Sequence, residues 1–198
     1  ATAPATEAAR RVPDRIAAEF EPGDCPQVGI GAMPNAVCRG LCDAGVRDLG
    51  VHLRGNFTMR PRAVVEADPS GEHFAWLSWH FSAWDRKQHD LGRASYIPMN
   101  FGEAPDYYRR FVERVDLACF RTAPMDEHGW FNFGPCCSYL KRVTERAKLV
   151  IVETCPGFPV VYGEQAAVHA SEVDYVIEGP DGPLAELANP PASQVDRR

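Results

Sequence analysis

No stretch of the sequence approaches the roughly 20 consecutive apolar residues that a membrane-spanning helix needs, and residues 1–11 lack the apolar centre of a secretory signal. A cytoplasmic protein with no membrane partner is therefore expected. Positive charge is also scarce: 21 Lys and Arg against 27 Asp and Glu leave a net charge of -6. That balance argues against a nucleic-acid partner, which usually demands a basic face. Cysteine is not lacking, with 7 residues, but pairing is. The number is odd, Cys136 and Cys137 are adjacent, and no Cys-x-x-Cys occurs, so neither a disulfide framework nor a zinc site is supported. The thiols read as small, buried apolar groups. Internal repeats and low-complexity tracts are absent beyond an Ala/Pro bias at both ends.

What is present suits a globular α/β body. A chain of 198 residues with 45% apolar content can bury about 70% of its unfolded surface. Residues 6–20 space their apolar side chains like an amphipathic helix. Gln27-Val28-Gly29-Ile30-Gly31 reads as a short strand running into a glycine turn, and residues 34–42 continue as a helix with proline in its first turn. Strand, glycine turn, helix is the α/β signature. Further strands are expected at 49–53, 96–99, 115–120, 148–153 and 173–177, and helices at 104–112 and 138–146. Residues 130–134 fit a short strand or a loop. The aromatic-rich stretch 66–93 has no clean period; alternation from Trp76 to Ala83 suggests a strand with one aromatic face. Residues 180–198, with four prolines and no periodicity, read as a linker, and a chain that ends on a linker looks unfinished.

Three segments offer chemistry. The Gly29-Ile30-Gly31 turn opens a helix whose free amides suit a phosphate; the plain alternative is a tight turn without ligand. Pro34 replaces the third glycine of the dinucleotide fingerprint, which weakens a nicotinamide reading. Asp126-Glu127-His128-Gly129 follows a buried strand, where α/β sheets place ligands, and could do acid/base work; alternatively Asp126 caps its own turn while Gly129 takes positive φ. Glu103, just before a helix, fits either capping or substrate contact. His73, His80 and His89 match no common zinc spacing, so no metal is expected.

Met125-Asp126-Glu127-His128-Gly129-Trp130-Phe131-Asn132-Phe133-Gly134-Pro135, then residues 147–153, 173–179 and the Pro-rich tail, resemble the acetyl-CoA hydrolase/transferase family. The resemblance covers residues from about 55 onward and corresponds to the N-terminal of the family's two similar α/β halves. It implies an open, largely parallel sheet with flanking helices, and coenzyme A as substrate rather than as a bound cofactor. The partners it implies are an acyl-CoA, a short-chain carboxylate, and a second half or homo-oligomer.

Residues 27–37 and 48–52 instead resemble the start of the family's second half. The chain is thus divided into a segment 1–53 of that kind, an N-terminal-type domain 54–179 and a linker 180–198. Either a rearrangement joined them near residues 53–55, or an N-terminal half has kept features of its sister. The resemblance further implies a glutamate nucleophile two residues after His52, where this chain has Arg54, and a guanidinium cannot attack a thioester. The candidate coenzyme A contacts are Gly29, Gly31 and Asn35, and the substrate-site candidates are Glu103, His128, Asn132 and Gly134. A coenzyme A transferase or hydrolase domain is the first reading, and a non-catalytic partner domain the second.

Overall fold

The computed structural model describes residues 26–28, 40, 51–55, 61–179 and 191–197. Their main feature is a seven-stranded sheet in which every pairing is parallel. Its strands, with the helices between them in chain order, are β1 (Pro26–Val28), β2 (Val51–Gly55), α1 (Ala63–Ala67), β3 (Phe74–Ser78), α2 (Ala83–Asp90), β4 (Ser95–Tyr96), α3 (Ala104–Arg110) and β5 (Val115–Thr122). A second, two-stranded ribbon is made by β6 (Trp130–Asn132) and β8 (Ala167–His169), between which come α4 (Leu140–Arg146) and β7 (Ala147–Thr154). The sheet closes with β9 (Tyr175–Glu178).

The spatial order β4-β3-β2-β1-β5-β7-β9 follows from the connections. From β1 the chain steps outward through β2, β3 and β4, then returns to lay β5 on the other side of β1. Sheets wound in two directions open a crevice where the direction reverses, at the carboxyl ends of the strands. Here that switch point lies between β1 and β5, where Val28 faces Cys119.

The strands expected from the apolar runs are found, with ends displaced by a few residues. β5 and β7 are eight residues long because both of their faces are covered. Ala118, Phe120, Val150 and Val152 join Tyr108, Leu140 and Val143 of α3 and α4 in the main core. Leu117, Cys119 and Ile151 form a smaller cluster with Leu149 and Ile177. A third cluster joins Leu53, Val64, Val65, Phe74 and Trp76 under α1.

One expectation is corrected. The aromatic strand does not run to Ala83 but stops at Ser78, because Ser82 and Asp85 form a reciprocal capping box that starts α2. The Asp85 carboxylate also accepts the indole N–H of Trp76 at 2.9 Å, tying the new helix to the strand before it. The helices expected at 6–20 and 34–42 lie outside the described residues, apart from Gly40.

Candidate functional site

Gly29 directly follows the strand that borders the switch point, but Gly29, Gly31 and Asn35 lie outside the described residues. The opposite bank of the crevice is described in full. After β5, the Ala123 amide donates to the Asn132 carbonyl at 3.0 Å, and the Cys155 amide donates to that of Thr122, also at 3.0 Å. The ribbon therefore folds back over the carboxyl ends of β5 and β7. Phe131, Phe133 and Val168 point into the main core, while Trp130 remains exposed.

The turn that delivers the ribbon is built by Asp126. Its carboxylate accepts the amides of Trp130 at 2.8 Å and His128 at 3.0 Å, and Gly129 takes φ +85°. A residue with a Cβ rarely adopts that φ. The Trp130 amide first, and the His128 amide after it, hold the Asp126 carboxyl below the usual carboxylate range. The self-capping alternative is the observed one. It leaves Glu127 and His128 exposed, with the imidazole 3.7 Å from the Glu127 carboxylate, so both remain available to a ligand.

Asn132 is a clamp. Its side-chain amide donates to the Val161 carbonyl at 3.0 Å, and its oxygen accepts the amides of Gly134 at 2.8 Å and Val161 at 3.1 Å. Gly134 sits at φ +62°, where a Cβ would come within 2.3 Å of the Phe158 ring. These two residues pin the loop of residues 156–165 against the ribbon.

Glu103 closes the turn Phe101–Glu103 and accepts the Asn100 amide at 2.9 Å. It stands on the connection between β4 and α3, away from the Asp126 turn in sequence. Arg54 is half-buried within β2, in register with Gln27 and Leu77. A shallow recess of about 420 Å³ lies at the carboxyl ends of β3 and β4, lined by Trp79, His80, Phe81, Arg86 and Tyr96. Thus His128, Asn132 and Gly134 share one edge of the sheet, while Glu103 and Arg54 occupy other elements.

Sequence reasoning passed over the Arg121–Glu153 pair. Neighbouring positions on β5 and β7 bring the guanidinium Nε within 2.9 Å of the buried carboxylate, 32 residues away in the chain. No local pattern signals such a contact. Only the pairing of two separately legible strands creates it.

A doubly wound parallel sheet, with a polar turn and a pinned loop over its carboxyl edge, defines an α/β protein of the class whose ligands, where they bind, sit at the switch point. The chain belongs to the acetyl-CoA hydrolase/transferase family: the signature of that family's N-terminal domain matches residues 58–187. It is 40% identical over 149 residues to the butyryl-CoA:acetate CoA-transferase of Anaerostipes caccae, a match covering 74% of this chain and 33% of that protein. With the succinyl-CoA:cyclohexane-1-carboxylate CoA transferase of Geobacter metallireducens it shares 32% identity over 186 residues, 93% of this chain and 41% of the other. Among solved structures, RipA from Yersinia pestis superposes with a TM-score of 0.73 at 26% identity, covering 92% of this chain and 44% of RipA. A 4-hydroxybutyrate CoA-transferase from Porphyromonas gingivalis has the same fold, with a TM-score of 0.57 at 21% identity over 88% of this chain and 40% of its own. The chain spans a third to two fifths of the length of these two curated relatives. Among the described residues, no helix is long and apolar enough to cross a membrane.

Proposed function

We propose that this chain is one half of a CoA-transferase, which with a second half moves coenzyme A between a short-chain acyl-CoA and a free carboxylate. The observation that carries this reading is the 40% identity to a butyryl-CoA:acetate CoA-transferase. The family signature spans the carboxyl-edge turn at residues 126–134.

The chemistry of such an exchange needs a carboxylate nucleophile. A glutamate attacks the thioester carbon, expels the coenzyme A thiolate and becomes an acyl-glutamyl anhydride. The thiolate then attacks the glutamyl carbonyl, releasing the acyl carboxylate and leaving glutamyl-CoA, and an acceptor carboxylate reverses the sequence. With Arg54 at the position the resemblance assigns to that glutamate, the nucleophile comes from the second half. In this chain Gly29, Gly31 and Asn35 hold coenzyme A by backbone amides. His128 contacts the substrate from the exposed turn, and Asn132 and Gly134 act by holding the neighbouring loop in place. Glu103 faces the substrate only if the β4–α3 connection borders the crevice in the assembled enzyme. Hydrolysis is the same cycle with water as acceptor, and a cytoplasmic location suits substrates of this kind.

The test is to incubate the chain with acetyl-CoA and butyrate, alone and together with the part of the Anaerostipes caccae enzyme that lies beyond its N-terminal domain. Butyryl-CoA is followed by chromatography, and borohydride trapping by mass spectrometry. The expected result is no exchange from the chain alone and exchange with a trapped glutamate on the added half. A trapped glutamate on the chain itself would overturn the placement of the nucleophile. Assembly without exchange would overturn the exchange reading.

A further inference from the structure

Around the ribbon the structure leaves large apolar side chains in solvent. Tyr162 is 93% exposed, Met125 54%, Val160 53%, Trp130 43% and Val161 41%. They are linked to one another. The Asp126 amide, next to Met125, donates to the Trp130 carbonyl at 3.0 Å. Trp130 and Asn132 fall on the same face of β6, and Asn132 grips Val161 through both of its side-chain polar groups. Trp130 is steadied by the His169 ring, with centroids 5.0 Å apart. The side chains are therefore presented on a loop held by hydrogen bonds, and little ordering remains to be done on contact.

Met, Trp and Tyr are the residue types enriched at the centres of protein interfaces, and large apolar side chains left exposed on neighbouring, hydrogen-bonded segments mark a surface meant to be covered. We infer that the face formed by Met125, Trp130, Val160, Val161 and Tyr162 is the docking surface for a second α/β half of this family. The choice of occupant rests on lengths. Relatives at 40% and 32% identity hold two thirds and three fifths of their chains outside the match, and RipA folds with more than half of its chain outside it. A body of this family therefore has a companion body to meet, and this apolar face stands at the carboxyl edge where the site lies. The inference rests on the CoA-transferase reading and adds to it the surface by which the halves meet.

The experiment uses the whole chain and the same portion of the Anaerostipes caccae enzyme, with that enzyme's own N-terminal domain as the reference ligand. Association is measured by native mass spectrometry and calorimetry. A one-to-one complex is expected, weakened at least tenfold by combining Trp130→Ser with Tyr162→Ser and unchanged by Lys87→Ser on α2. Both serine substitutions remove exposed side chains, and an unaltered melting curve verifies that the fold survives. A complex insensitive to the pair overturns the inference, as does no complex where the reference domain binds. Self-association of the chain that is abolished by the same pair makes a second copy the occupant and also overturns it. Binding through this face without coenzyme A exchange would refute the activity and leave the surface standing. Exchange insensitive to the pair would do the opposite.

Discussion

The two wings of the sheet place the aspartates that build their turns in opposite settings. In the wing of β2, β3 and β4, the carboxylates that build the turns are buried. Asp68 accepts the amides of His73 and Phe74 at 2.8 and 2.9 Å, and Asp85 accepts the Trp76 indole and both the amide and hydroxyl of Ser82. In the wing of β5, β7 and β9, the turn-building Asp126 is exposed, and so are Trp130 and Tyr162. The first wing keeps its turn carboxylates inside the fold. The second is locally complete but presents a surface, and the exposed candidate His128 belongs to it, while exposed Glu103 stands on the β4–α3 connection. The comparison suggests that burial separates architecture from function here better than residue type does, since an aspartate caps a turn in both wings.

The sharpest break in that comparison is Asp85→Ala. It strands the Trp76 indole N–H in the core and removes two bonds from the start of α2, which should cost about 4 kcal/mol when a buried donor is orphaned and neighbouring bonds are lost together. Urea unfolding measures it, and a loss under about 1 kcal/mol would show that the wing does not depend on its buried carboxylate. Gly134→Ala comes next. It places a side chain at φ +62° and against the Phe158 ring, for an expected loss of about 2 kcal/mol. It should also free the loop carrying Val160 to Tyr162, seen as faster amide exchange at Val161.

Asp68→Asn tests the first wing through pH. Burial would raise the Asp68 carboxyl, but the amides of His73 and Phe74 and the Ser70 hydroxyl outweigh it and hold the group below its ordinary value. A depressed carboxylate stabilises the fold above its unfolded value of about 3.9, and the contribution fades as pH falls through the lower folded value. The variant should therefore be less stable by about 1 kcal/mol near neutral pH, with the gap narrowing below pH of about 4. A gap that widens in acid would contradict the assignment.

How much of this was readable without coordinates follows from the range of each interaction. The long strands β5 and β7 announce themselves as apolar runs, and Pro105 marks the start of α3, because those signals are local. Asp126 and Gly129 were readable as a turn for the same reason, and the structure chose between capping and catalysis by showing which amides the carboxylate meets. The capping box at Ser82 was present but hidden, since the alternation of Trp79 and Phe81 runs straight across it. β8, three residues long, has no period to detect and exists through its pairing with β6. The Asn132 clamp on Val161, 29 residues away, and the Arg121–Glu153 pair are long-range and leave no local trace. The exposure of Val160, Val161 and Tyr162 has no signature in a string of letters.

The smallest expected effect is also the one that most tests the distinction between the wings. Asp126→Ala removes a carboxylate that accepts two amides, where Asp85 accepts one amide, one hydroxyl and one indole N–H, so a count of hydrogen bonds alone predicts a loss of the same order. The physical setting predicts otherwise. The Asp126 carboxylate is solvated, and the Trp130 and His128 amides it releases can turn to water, whereas the Trp76 indole cannot. Asp126→Ala should lower the melting midpoint by much less than either Asp85→Ala or Gly134→Ala. Because the carboxyl is held below its usual range in the fold, its contribution is present above the ordinary carboxylate value and is lost as pH falls through the lower one. The difference between wild type and variant should thus be visible at neutral pH and vanish in acid. Melting curves across that range decide the matter: a loss equal to that of Asp85→Ala would mean that the exposed turn is as much a part of the core architecture as the buried one.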